Sequence, residues 1–283
     1  MRSLIEEKFL EFYESWIFQL EQHLHQLLIA HKNINTMSEI ELRGLISKLT
    51  THHKAYYTAK WAAIGEDVLA FFGPVWLNPL EKSCFWLTGW KPSMVFRMLD
   101  RLRKSWRPTV VLVEAQVKKL EELRVKTRYD EERIEREMER YQVAMADKKM
   151  VELARLGCHV GGVEGESAVL VEAAVKGLAT RLEKMVKAAD CVRLKTLKGI
   201  LDVLAPPQCV EFLAATAAFQ VQLRRWGNER HNVTHSYEHD DGKQDSYISL
   251  LVFTVTSLAG TTCYRYERLC VVISVNREML ETM

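Results

Sequence analysis

Proline is scarce in this chain: six among 283 residues, clustered where elements begin or end. That removes the main obstacle to long uninterrupted helices, because an interior proline costs a helix about 3 kcal/mol. Cysteine is scarce as well. Cys84, Cys158, Cys191, Cys209, Cys263 and Cys270 are scattered without a CxxC pair, which excludes a disulfide framework and suits reduced, buried thiols inside a cell. The amino-terminus, Met1 to Glu7, lacks the apolar core of a secretory signal. A strong excess of one charge is missing too; a net charge of +2 argues neither for nor against nucleic acid. What remains is a chain with ordinary apolar and charged fractions, long enough to bury a substantial core.

Apolar residues at Phe9, Phe12, Trp16, Leu20, Leu24, Leu27 and Leu28 recur in steps of three and four, which predicts an amphipathic helix from Ile5 to Ala30. Ser38 and Glu41 form a capping box that opens a second helix, extending toward Phe71 before Gly73-Pro74 ends it. Helices are expected from Pro79 and from Pro92 to Trp106. Pro108 begins a further helical run to about Leu156. Its charged middle, Lys118 to Arg140, has only a broken heptad seam, so a helical arm packed on one side is preferred to a coiled coil. Glycine-rich residues 157–166 form a joint. Three helices are expected beyond it, at Leu170–Lys187, Cys191–Leu204 and Pro207–Trp226. No strand alternation precedes Gln244. The body, residues 5–230, is therefore expected to be an all-α, multi-helix domain. Residues 231–283 differ: Tyr247 to Tyr264 is uncharged and rich in β-branched residues, and reads as an irregular or strand-prone tail rather than a bilayer span.

The block Asn78 to Ser93 is the most distinctive. Asn78 suits an N-cap, Pro79 the first helical position, and Glu81 the helix amino-terminus. Phe85, Trp86 and Trp90 place three large aromatics close together, with Phe85 and Trp86 expected to be buried and Trp90 partly exposed. No nucleophile, phosphate cradle or metal cluster accompanies them, so the block is read as packing and recognition.

Four candidate sites follow. Lys91, Arg97, Arg101, Arg103, Lys104 and Arg107 face only Asp100, beside an apolar stripe of Val95, Leu99, Leu102 and Trp106. A basic amphipathic helix of this kind docks on acidic protein, phosphate or anionic membrane; a solvated outer face is the competing reading. Trp90, Arg97, Arg101 and Lys104 are the candidate partner-binding residues. His231, His235 and His239 are spaced four apart, so His231 and His235 could ligate a metal or haem, although a solvated helix end is favoured. His52, His53, Tyr56, Tyr57 and Lys60 read as a packed helix face rather than an acid/base site. Cys84 reads as a small buried residue. No catalytic residue and no metal site is assigned.

Phe12-Tyr13, Trp16, Gln19-Leu20, Tyr56-Tyr57, Ala59-Lys60, Trp76-Leu77, Pro79-Leu80-Glu81, Trp86, Gly89-Trp90 and Pro92-Ser93 also follow an order that resembles the plant delay-of-germination family. Leu194 to Gly199, Pro206-Pro207-Gln208, Phe212-Leu213-Ala214 and Trp226-Gly227 continue it, so the resemblance runs from about Phe9 to Trp226. The same domain forms the carboxy-terminal part of TGA-type bZIP transcription factors. The resemblance implies a non-enzymatic plant regulator of seed dormancy or abscisic acid signalling, in nucleus and cytoplasm, with type 2C protein phosphatases as partners. A TGA-like transcriptional regulator with bZIP partners is the alternative, and a haem-binding sensor, through His231 and His235, a third. Self-association is left open. The matched region begins within the first ten residues, so no basic region is expected before it and no direct DNA contact from this chain.

Overall fold

Ser3 and Ser38 each start a long helix by the same device. The serine hydroxyl accepts the backbone N–H of the glutamate three residues on, whose carboxylate accepts the serine's own N–H. These caps open α1 (Leu4–Lys32) and α2 (Glu39–Glu66) in a computed structural model that describes residues 3–105, 111–148, 151–152 and 166–233. The remaining elements are α3 (Pro79–Ser83), a hairpin of β1 (Phe85–Trp86) and β2 (Gly89–Trp90), α4 (Met94–Ser105), α5 (Glu114–Met145), α6 (Glu166–Val203) and α7 (Pro206–Val233). The all-α body expected from the sequence is present. The tail reading of residues 247–264 lies outside the described residues, as does most of the glycine-rich joint.

The structure corrects three boundaries. The second helix stops at Glu66, short of Phe71, because Asp67 turns extended and its Oδ1 accepts the N–H groups of Leu69 and Ala70. That bond starts a separate 3₁₀ turn, Leu69–Phe71. The two helices expected at 170–204 are one, α6. Residues 188–190 hold no glycine or proline, and Asp190 does not cap a new helix but is fully buried in ion pairs. The aromatic block is no simple helix with a break, since Phe85 pairs with Trp90 and Trp86 with Gly89 across an antiparallel turn.

α7 is the central element and packs against α1, α2, α3 and α4. Its residues from Gln208 to Ala217 are all buried, as expected of a helix surrounded by others. α1 and α2 pack on each other, and Phe9, Trp16, Phe71 and Trp76 join the core. α5 and α6 run antiparallel: Gln116 reaches the Val203 carbonyl, Thr127 meets Thr196, and Tyr141 reaches the Leu178 carbonyl. α5 buries one stripe (Leu120, Thr127, Ile134, Met138, Tyr141) and leaves Val125, Tyr129 and Val143 exposed. This is the one-sided arm expected from its broken heptads.

Candidate functional site

Two helices and the hairpin converge on a buried cluster of charge. Lys60 on α2 donates to Asp190 Oδ1 on α6 at 2.7 Å and to the Thr88 carbonyl in the hairpin turn at 3.0 Å. Arg193, one turn along α6, donates to Asp190 Oδ1 at 2.6 Å and to the carbonyl oxygens of Trp86, Leu87 and Trp90. Trp61 donates to the other Asp190 oxygen at 3.0 Å. Lys60, Asp190 and Arg193 are each 1% exposed or less. Burial holds the Lys60 ammonium down to about 8, against the attraction of Asp190.

This cluster explains the hairpin. Leu87 and Thr88 occupy the turn at φ 43° and 60°, a left-handed conformation ordinarily filled by glycine or asparagine. The carbonyls of Leu87 and Thr88, and those of Trp86 and Trp90 beside them, are tied to Arg193 and Lys60, so tertiary bonds hold what local preference disfavours. Gly89 is needed for the approach: a Cβ there would meet the Arg193 guanidinium at 2.8 Å.

A second buried group anchors α3. Glu81 accepts from Asn78 N at 2.9 Å, from the Tyr13 hydroxyl at 3.2 Å and from Arg224 at 3.3 Å. Burial raises its carboxyl above the usual range, against those bonds. Asn78 caps α3 as expected and also reaches the Arg224 carbonyl on α7. Gly227 lets α7 approach that closely, since a Cβ there would lie 2.1 Å from Asn78 Oδ1.

Between these two groups lies a cavity of about 140 Å³, lined by Trp16, His53, Tyr56, Trp90, Met98 and Phe219 among others. Trp16 stacks on His52 at 4.7 Å and donates its indole N–H to the His52 carbonyl. Burial holds His52 and His53 down to about 4, so both are neutral at neutral pH. The rings form a packed aromatic face with neutral imidazoles, and Lys60 is drawn off into its ion pair with Asp190.

α4 forms one wall. Val95, Phe96, Met98, Leu99 and Leu102 are buried, while Arg97, Arg103 and Lys104 are exposed and Arg101 is half-buried. Desolvation and the neighbouring Arg97 charge lower the Arg101 pKa. Asp100 is engaged by both oxygens with Arg124 on α5 at 2.8 Å, and Lys91 pairs with Glu135 at 2.8 Å. Arg97, Arg101 and Lys104 thus share one helix face. Trp90 is not brought to them: half-buried, it lines the cavity beside Met94 and Met98 and hydrogen-bonds Tyr57. Trp86 is buried as expected, but Phe85 is only half-buried. His231 falls in the last turn of α7, its side chain outside the description, and His235 lies outside the described residues. No group of three or more His, Cys, Asp or Glu placed to hold a metal occurs among the described residues.

The Asp190–Arg193 pair went unrecognised in the sequence. Its signal was present: two charges sit one turn apart amid Val186, Ala189, Val192 and Ile200, all core residues.

Residues 22–101 match the family model DOG1, seed dormancy control. The chain is 83% identical over 236 residues to "Protein DOG1-like 4" of Arabidopsis thaliana, covering 83% of this chain and 99% of that protein. It is 31% identical to "Protein ZW2" of the same plant, over 78% of this chain and 96% of the relative. It is 25% identical to "Transcription factor TGA2.3" of Oryza sativa subsp. japonica, over 75% of this chain and 61% of that factor. The chain belongs to the DOG1-like family.

Proposed function

We propose that this protein is a non-enzymatic regulator of dormancy or abscisic acid responses that works by binding other proteins, type 2C protein phosphatases foremost. The observation that carries the reading is α4: a rigidly seated helix whose outer face presents Arg97, Lys104 and part of Arg101. A fixed positive face steers association with an acidic surface and sets its orientation. A relative named "Protein RESPONSE TO ABA AND SALT 1", 28% identical over 79% of this chain, supports the hormonal side. We place the protein in nucleus and cytoplasm. No helix among the described residues is long and apolar enough to cross a membrane.

The similarity to TGA factors supports a second reading, a transcriptional cofactor paired with bZIP proteins. Affinity purification from seed tissue with mass spectrometry separates the two. Type 2C phosphatases in the eluate support the first, bZIP factors the second, and recovery of neither overturns both. A haem-sensor role through His231 and His235 rests on spacing and family resemblance. Haemin titration tests it, with a Soret shift lost in the double alanine variant as the supporting result.

A further inference from the structure

We propose that the cavity between the two buried polar groups is a binding site for an uncharged, single-ring phenol. The inference rests on the cavity alone and stands whether or not α4 binds a phosphatase. Size sets the first limit. A volume of about 140 Å³ is close to that of an engineered protein cavity, about 150 Å³, that takes up benzene. One aromatic ring fits and a porphyrin does not. The walls set the second. Trp16, Trp90, Met94, Met98 and Phe219 present flat rings and thioethers, which favour an aromatic guest.

Polarity sets the third. His53 and Tyr56 lie deep enough that burial dominates their titration, yet both keep accessible surface and both line the cavity. Both therefore put a polar side chain at the cavity wall. Burial holds His53 down to about 4 and raises Tyr56, so both are uncharged at neutral pH. A neutral imidazole offers one acceptor and one donor, and a tyrosine hydroxyl offers both; a phenolic hydroxyl complements either. A carboxylate does not suit the site. The Lys60 and Arg193 cations are already committed to Asp190 and to hairpin carbonyls, so a guest anion would sit near buried Asp190 and Glu81 without a free counter-charge. The same cavity abuts the inner residues Met94, Val95 and Met98 of α4, so an occupant braces the helix that carries Arg97 and Lys104.

The test uses the full chain, with p-cresol, toluene and benzoate titrated by calorimetry and by the fluorescence of the lining tryptophans. The expected result is one-to-one p-cresol binding, toluene weaker by about tenfold for the lost hydrogen bond, and no benzoate binding. Met98→Trp, which fills the cavity, should abolish p-cresol binding. Met98→Phe, a smaller change, serves if that variant does not fold, and should weaken it. His53→Phe or the isosteric Tyr56→Phe should bring p-cresol down to the affinity of toluene. Benzoate binding as tightly as p-cresol would overturn the assignment, as would p-cresol binding untouched by both Met98 variants. No binding of p-cresol, leaving a cavity that holds water only, would overturn it equally.

Discussion

The hub under the hairpin and the α5–α6 arm use the same kinds of residues to opposite effect. In the hub, one carboxylate and two cations from α2 and α6 are sealed from solvent and fix three elements at once. Along the arm, Arg133–Asp130, Arg136–Glu132 and Lys198–Asp202 are pairs within one helix, each with at least one exposed partner. Solvent makes the difference. In water an ion pair gains little over its hydrated parts, whereas a buried charge that loses its partner has nothing to replace it. The position of a charge thus decides whether it specifies the fold or only keeps a surface soluble.

Asp190→Ala should break this contrast most severely. It strands Lys60 and Arg193 in the interior and should cost about 3–5 kcal/mol in urea unfolding. A loss below about 1 kcal/mol would place the hub on the same footing as the arm. Trp86→Ala empties the seat beneath Arg193, whose guanidinium lies 5.4 Å from the indole centre, and should cost about 3–5 kcal/mol, read from the same curves. An unchanged melting curve would show that the hairpin does not need its aromatic side.

Acid offers a milder probe. His53 is held near 4 when folded, against about 6.5 unfolded. The unfolded chain therefore takes up the proton first. The stability contributed by neutral His53 is fully present above pH 6.5 and is lost as pH falls toward 4. Wild type should lose more stability between pH 6.5 and 4.5 than His53→Phe does; equal slopes would mean the ring is not buried neutral. The smallest effect is expected on the arm. Lys198→Ala, which opens a pair with Asp202 on the exposed side of α6, should shift stability by less than about 0.5 kcal/mol.

The contrast also explains what was legible in the sequence. The arm was readable because its stripe and its charges are local: Leu120, Thr127, Ile134 and Tyr141 announce one buried face by spacing alone. The capping box at Ser38 and the N-cap at Asn78 were readable for the same reason. The hub was not, since Lys60 and Asp190 are far apart in the chain and nothing local marks them as partners. The hairpin was hidden with it, because Leu87-Thr88 is a poor turn sequence that depends on Arg193 and Lys60 to hold it. Of the candidate site, Arg97, Arg101 and Lys104 were legible as one face of α4. Trp90 lies apart from them, since it lines the cavity and hydrogen-bonds Tyr57.

The central claim is that α4, seated by the core, binds an acidic protein surface through its outer charges. Calorimetric titration of the full chain with a type 2C phosphatase catalytic domain, at low and at physiological salt, tests it most directly. Arg97→Glu with Lys104→Glu is the informative variant, since both side chains are exposed and Arg101 is left in place. The account expects affinity that falls with added salt, and binding lost or greatly weakened in the double variant with helicity and melting unchanged. Equal, salt-insensitive binding by wild type and variant would contradict it.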